Sequence, residues 1–250
     1  MSKNKIKLLG FYGSDETVAC SAWTSTSREL TDSKKLRIPA LIDQLWSAGH
    51  ESPFEKATVH FLVDTEIASH IHLLKHRISS MNGESARYKE LKEDKMYIPE
   101  DWGNIESSQS LYIHEDCENG KEVSWQKGEK WTGILQDYTE IGNYLYHNCI
   151  NDLTPLLGRK RAKESARFFK TYNSQIEADI SFNMRSFANF IKLRNSEHAQ
   201  LEIREIAQEM WNLVQNETNN QFTNILFAID ERILFEQKCE KHKQLILNLE

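Results

Sequence analysis

The sequence predicts a mixed α/β fold (α+β), a single domain with a β-sheet flanked by long helices. Three observations carry that expectation. Short runs rich in β-branched or aromatic residues, at 6–13 and 58–63, read as strands. Longer stretches repeat apolar residues at helical spacing. Only ten Gly and four Pro occur in 250 residues, with no Pro/Gly linker, internal repeat or low-complexity tract, so one domain over 1–250 is the simplest count.

Ile6-Lys7-Leu8-Leu9-Gly10-Phe11-Tyr12-Gly13 reads as an opening strand ended by glycine, and the polar stretch 14–37 as a helix with loops. Ile38, Leu41, Ile42, Leu45 and Trp46 have helical spacing, and Gly49 is the natural C-terminal stop. In His50-Glu51-Ser52-Pro53-Phe54-Glu55, Ser52 is the expected cap, Pro53 the first helical residue and Glu55 the partner that completes a capping box. That places His50 just before a helix start, where exposed N–H groups favour anions; a surface histidine in a turn would look the same.

After the second strand, Asp64 or Thr65 is expected to cap a helix whose core stripe is Ile67, Ile71, Leu74 and Ile78. On it His72, Lys75, His76 and Ser79 fall along one flank, with His70 and Arg77 on the other. His72 and His76 have the spacing of a metal pair, but no glutamate lies between them and no third ligand is evident, so no metal site is expected. The chain is expected to leave this helix through a turn at Asn82-Gly83.

Residues 92–123 read as a surface insertion, 125–150 as a long helix, and Thr154-Pro155 as the cap of another. That next helix carries Arg159, Lys160, Arg161, Lys163, Arg167 and Lys170 against one acid, Glu164; an anion site and a solvated basic face both fit. The stretch 181–194 reads as helical, with Asn183 and Arg194 on one line and Arg185 and Asn189 on another; Asn195 or Ser196 would cap the helix that follows. A final helix runs over 220–250, with Phe222, Ile225, Leu226, Ile229 and Ile233 as its apolar face.

The composition, 39% hydrophobic and 27% charged, is that of a soluble globular protein, and no run approaches the roughly 18 apolar residues of a membrane span. The start, Met1-Ser2-Lys3-Asn4-Lys5-Ile6, lacks the apolar core of a signal peptide. Cys20, Cys117, Cys149 and Cys239 are scattered, which fits reduced thiols in a cytoplasmic setting. With a formal net charge of -6, no nucleic-acid polymer is expected as a partner.

Against that acidity, the stretch from His70 to Lys92 holds five Lys or Arg and two Asp or Glu. A local positive patch on an acidic protein points to a bound anion, although a solvated helix flank and turn would have the same composition. Ser85 lies in no Gly-x-Ser-x-Gly elbow, so a hydrogen bond to a ligand suits it better than nucleophilic attack.

Within this patch Lys75-His76-Arg77, seven residues, then Ser85-Ala86-Arg87-Tyr88 resembles the signature of the flavin-dependent thymidylate synthases, with Lys75 in place of an arginine. His50-Glu51-Ser52-Pro53-Phe54-Glu55 resembles a second element of that family. Asn183-Met184-Arg185-Ser186, Leu193-Arg194 and Ala199-Gln200-Leu201-Glu202-Ile203-Arg204 are similar to its C-terminal signature. The three lie in the family's order and cover 38–207.

The resemblance implies an α/β subunit of the thymidylate synthase-complementing fold, assembled as a homotetramer with active sites between subunits. It implies FAD bound without a Rossmann glycine fingerprint, and conversion of dUMP to dTMP with NADPH as reductant and methylenetetrahydrofolate as carbon donor. Carried over residue by residue, His50, Lys75, His76, Arg77, Asn183, Arg185 and Asn189 would meet the flavin. His72, Lys75, Ser85, Arg87, Arg167 and Arg194 would hold the nucleotide. Arg194, Ser85 and His50 would serve the reaction, with Arg194 stabilising negative charge as the pyrimidine C5 becomes nucleophilic.

Departures from the family pattern bear on the substrate. Lys75 offers a point charge where a planar fork is usual; His72 stands where glutamine is common. Gly83-Glu84 shifts a carboxylate by one residue, and Phe168-Phe169-Lys170 replaces Val-Leu-Pro. They leave open a variant acting on dCMP or yielding a hydroxymethyl product, and a catalytically silent flavin- or nucleotide-binding homologue.

Overall fold

In the computed structural model, residues 3–113 and 123–233 are described. The chain divides into two compact units. One comprises the start up to Asn4, Asp64–Ile71 and Gly83–Glu177; the other Lys5–Val63, His72–Asn82 and the chain from Ala178 onward. The α/β class is borne out, by a four-stranded sheet packed among helices.

The second unit opens with β1 (Lys5–Tyr12), in which Ile6 and Leu8 turn toward the core between exposed neighbours. Ser14 caps α1 (Asp15–Ala22), its side chain accepting from Thr17 N–H. A short α2 (Asp32–Lys35) leads to α3 (Ile38–Ser47), buried through Ile38, Ile42 and Trp46 and followed by Gly49 at φ +74°. Along the chain, and with residues in both units, follow β2 (Thr58–Glu66), α4 (Ile67–Leu74) and β3 (Ser80–Gly83). The first unit contains β4 (Leu111–Ile113) paired antiparallel with β5 (Val123–Trp125), then α5 (Trp131–Leu157) and α6 (Arg159–Ala166). The chain continues through β6 (Gln175–Asn183), α7 (Met184–Arg194), α8 (Leu201–Glu217) and a helix at 223–233.

The sheet has the order β1-β2-β6-β3. Phe61 of β2, Phe182 of β6, and Phe187 and Phe190 of α7 form its aromatic centre, each fully or almost fully buried. Each contributes about 1.5–3 kcal/mol relative to exposure. Ile203, Ile206, Ala207, Met210 and Val214 of α8, Phe222 just before the last helix, and Ile225, Leu226 and Ile229 within it close the same core. The expected apolar face of that helix is therefore borne out to residue 233; its continuation over 234–250 lies outside the described residues.

Several sequence expectations are corrected. Ser52 caps nothing: the segment Ser52–Lys56 is a 3-10 turn without a side-chain cap, because Glu55 is drawn to Arg185 instead. Asp64 and Thr65 lie in β2, and Glu66 is the residue whose carboxylate accepts from Ser69 N–H in the first turn of α4. Helix α4 stops at Leu74, so its presumed stripe and flanks do not extend to Ile78 and Ser79; Leu73 is the buried apolar residue, whereas Leu74 and Ile78 are exposed. Asn82-Gly83 is strand, not turn.

In the first unit, the expected insertion is in part built in: Tyr97 N–H donates to the Asn173 carbonyl, and Ile98 is buried. Trp125 belongs to β5, and the long helix begins at Trp131 and runs through Pro155 to Leu157. Pro155 stands in the last turn of this helix, which ends at Leu157, before Gly158 at φ +78°. That glycine, not Thr154, separates α5 from α6. Residues 181–183 are strand, and α8 begins at Leu201 after Gln200, without a side-chain cap from Asn195 or Ser196.

Candidate active site

The second unit holds a cavity of about 500 Å³. Its wall is built by the chain leaving α4 (Lys75, His76, Arg77 and Ile78), by Phe182 at the end of β6, and by Arg185, Ser186, Asn189, Leu193 and Arg194 of α7, with Glu51 at the rim. Two local features aim these residues inward. The stop of α4 at Leu74 releases Lys75–Ile78 from helical geometry. Asn183 Oδ1 accepts from Ser186 N–H at 2.8 Å, fixing the first turn of α7 directly after the strand.

Arg194 Nε donates to His76 Nε2 at 3.0 Å. His76 therefore acts as acceptor, which places a single ring proton on Nδ1. Burial, then the nearby charges of Arg194 and His72, push its pKa down to about 4. The ring packs edge-on to Phe190 at 4.9 Å, and Ser79 Oγ donates to the His76 carbonyl at 2.6 Å. A neutral histidine thus holds a charged arginine whose Nη groups remain uncommitted among the described residues.

Arg185 is gripped by two carboxylates: its Nε donates to Glu51 Oε2 at 2.9 Å and its Nη1 to Glu55 Oε1 at 2.7 Å. These bonds, Glu55 first and then Glu51, hold its pKa above the ordinary arginine value. Lys75 and Arg77 are exposed and form no side-chain ion pair among the described residues. Ser186 Oγ is buried without a hydrogen-bond partner, in a residue that lines the cavity.

Six of the residues expected from the sequence, Lys75, His76, Arg77, Arg185, Asn189 and Arg194, are thereby brought to one cavity. His50 and Asn183 do not line it. His50 is exposed, its N–H donating to the Leu45 carbonyl, and the Asn183 side chain is used as a helix cap. The i, i+4 geometry of His72 and His76 is broken by the end of α4, and His76 Nε2 is already bonded to Arg194. Sequence reasoning missed Glu51, Phe182 and Ser186 as lining residues. Ser186 stands inside a quoted motif, and Phe182 could have been found by the alternation of Ile176, Ala178, Ile180 and Phe182 with polar residues.

Ser85, Arg87 and Arg167 lie in the other unit. Ser85 Oγ accepts from Arg87 N–H at 3.3 Å, and Arg87 Nε donates to Glu164 Oε1 at 3.1 Å. Arg167 is exposed in a 3-10 turn after α6. Part of the surrounding basic run is engaged locally: Arg159 pairs with Glu90 at 2.7 Å, Arg161 with Glu164 at 3.5 Å, and Lys163 Nζ donates to the Tyr88 carbonyl at 2.6 Å. Lys170 is nearly buried, bonded to Asp94 and Asn143 at 2.7 Å each, with its ammonium over the Tyr146 ring. This explains the lysine in Phe168-Phe169-Lys170: it is a structural cation. Gly83 has its own reason, since a Cβ there would stand 2.9 Å from His70 Cε1.

The sequence model of the family described as "Thymidylate synthase complementing protein" matches residues 7–218. Similar proteins include a flavin-dependent thymidylate synthase of Pseudothermotoga lettingae, 31% identical over 207 residues and 83% of each chain. Another, from Kosmotoga olearia, is 27% identical over 92% of this chain and 94% of its own. Among solved structures, a UMP/dUMP methylase from Streptomyces cacaoi bound with 5-Br dUMP shares the fold at a TM-score of 0.69, with 22% identity over 92% of this chain and 96% of that one.

Proposed function

The chain belongs to the thymidylate synthase complementing protein family, whose members include the flavin-dependent thymidylate synthases, and on that premise we propose that it methylates dUMP reductively to dTMP. FAD is the proposed flavin, NADPH the reductant and methylenetetrahydrofolate the carbon donor. A homotetramer with active sites between subunits and a cytoplasmic setting belong to the same proposal, as does the single-domain count, since one family model spans residues of both units.

The observation that carries this reading is the cationic cavity: Lys75, Arg77 and Arg194 line it without a carboxylate partner among the described residues, in a chain of net charge -6. Its volume lies within the range of about 300–1,000 Å³ usual for small-molecule sites. The orphaned Ser186 Oγ is a further sign of fit, because a ligand oxygen or nitrogen would satisfy it. Lys75, His76, Arg77, Arg185 and Asn189 would hold the flavin, with His50 and Asn183 at its margin. When bound, the flavin supplies the hydride that completes the methyl group.

The protein's own contribution is electrostatic. Neutral His76 fixes Arg194 by Nε and leaves the rest of its fork to meet the pyrimidine, where a fixed positive charge stabilises negative charge at the nucleophilic carbon. Ser85, Arg87 and Arg167, with His72 and Lys75, are proposed to hold the nucleotide; Ser85 binds and does not attack.

The first test is the visible spectrum of the purified protein before and after adding FAD and then dUMP. A bound-flavin spectrum that shifts with dUMP supports the reading, and turnover is then compared for dUMP, UMP and dCMP. Failure to bind flavin in excess FAD would overturn it.

A further inference from the structure

We propose that Arg232, on the helix at 223–233, is a positioning residue that sets Arg185 in the cavity through Glu51. The helix lies beyond the residues matched by the family model. Arg232 Nη1 donates to the Trp46 carbonyl at 2.9 Å, and the same nitrogen stands 3.6 Å from Glu51 Oε1. Its guanidinium also lies 5.7 Å from the centroid of the Trp46 ring. The other oxygen of Glu51 accepts from Arg185 Nε. One carboxylate is shared by two guanidinium groups, one oxygen each.

The surroundings make the arrangement more than a surface ion pair. Trp46, Ile229 and Ile233 line a small cavity of about 110 Å³ that shares Glu51, Arg185 and Asn189 with the larger one. The last helix thus lines the smaller cavity beside Arg185, and Lys75 and Arg77 line only the larger one. Glu51, Glu55, Arg185 and Arg232 carry two negative and two positive charges. Removal of Arg232 leaves the group net negative, and frees the second oxygen of Glu51 to engage Arg185. Both changes turn the Arg185 fork away from an anion in the cavity.

That Arg185 meets a flavin rests on the function proposed above; the dependence of Arg185 on Arg232 does not. The test reads the two separately. The Nε–H signal of Arg185 is followed by NMR, assigned through Arg185→Lys, and its solvent exchange is measured in the wild type, Arg232→Gln, Arg232→Lys and Glu51→Gln. Exchange should slow about tenfold in Arg232→Gln, where Arg185 gains the whole of Glu51, accelerate by about as much in Glu51→Gln, and stay near wild type in Arg232→Lys, the scale being that of coupling between groups in one ion-pair network. FAD titration of the same proteins should show affinity falling in Arg232→Gln and recovering in Arg232→Lys. An Arg185 signal unchanged in Arg232→Gln overturns the proposal, whatever Glu51→Gln or FAD does. If Arg185 responds but the wild type binds no FAD, the relay stands and the flavin reading falls.

Discussion

Arg194 donates from Nε to His76 Nε2 at 3.0 Å, joining residues 118 positions apart in the chain. Each decides what the other can do. The arginine charge helps keep the imidazole neutral, and the neutral imidazole offers the lone pair that orients the arginine.

Arg194→Ala should therefore have two separable effects. The His76 pKa, about 4 in the wild type, should rise but stay below the ordinary 6.5, because burial is the larger cause and remains. Turnover with dUMP should fall by about 10²–10³, the usual loss when a preorganised electrostatic group is removed. Proton NMR titration checks the first and steady-state kinetics the second. Full activity in the variant would refute the role given to Arg194.

Stability should rise with pH between about 4 and 6.5. The unfolded imidazole of His76 takes its proton near 6.5 and the folded one only near 4, so in that window the unfolded chain binds the extra proton and acid favours unfolding. His70, pushed down by burial, acts in the same direction. Asp15, pushed up by burial, opposes them, since its folded form holds a proton more readily as pH falls. Thermal melts at pH 7 and pH 5 should show a lower Tm at pH 5, with the difference reduced in His76→Gln.

Asp15 anchors the last helix. Its two oxygens accept from Asn224 N–H and Nδ2 at 2.8 and 2.7 Å and from Ile225 N–H at 3.1 Å, donors in the opening turn at 223–233. Asp15→Ala should cost about 1–3 kcal/mol, because buried donors lose their acceptor. Denaturant melts measure the loss, and hydrogen exchange should locate it at 223–233.

Gly142 sits on α5 where a Cβ would stand 2.6 Å from the carbonyl oxygen of Phe169. A backbone atom cannot swing aside as a side chain can. Gly142→Ala should destabilise by about 1–3 kcal/mol, the cost of overpacking, and displace the 3-10 turn that carries Arg167. A variant as stable as the wild type in urea would show that α5 and this turn can part more easily than their packing implies.

Much of the fold was legible in the chain itself. Gly49 at φ +74° ended α3 as expected, and Phe222, Ile225 and Ile229 formed the anticipated buried face. Where the reading failed, long-range partners had overridden local preference. Glu55 left the expected capping box for Arg185, and 181–183, the end of β6, were read as helix because the helical motif beyond them dominated the pattern.

The candidate site divides along the same line. Residue types and their spacing, in Lys75-His76-Arg77, Asn183-x-Arg185 and Arg194, were legible before folding and marked a positive patch on an acidic chain. Folding set their states. It made His76 a neutral acceptor, paired Arg185 with Glu51, and turned Lys170 into a buried strut for Asp94 rather than a ligand cation. The reason is physical. Residue identity and periodicity are local, whereas burial and the distance to an opposite charge, which set protonation and pairing, arise only when residues remote in the chain are packed side by side.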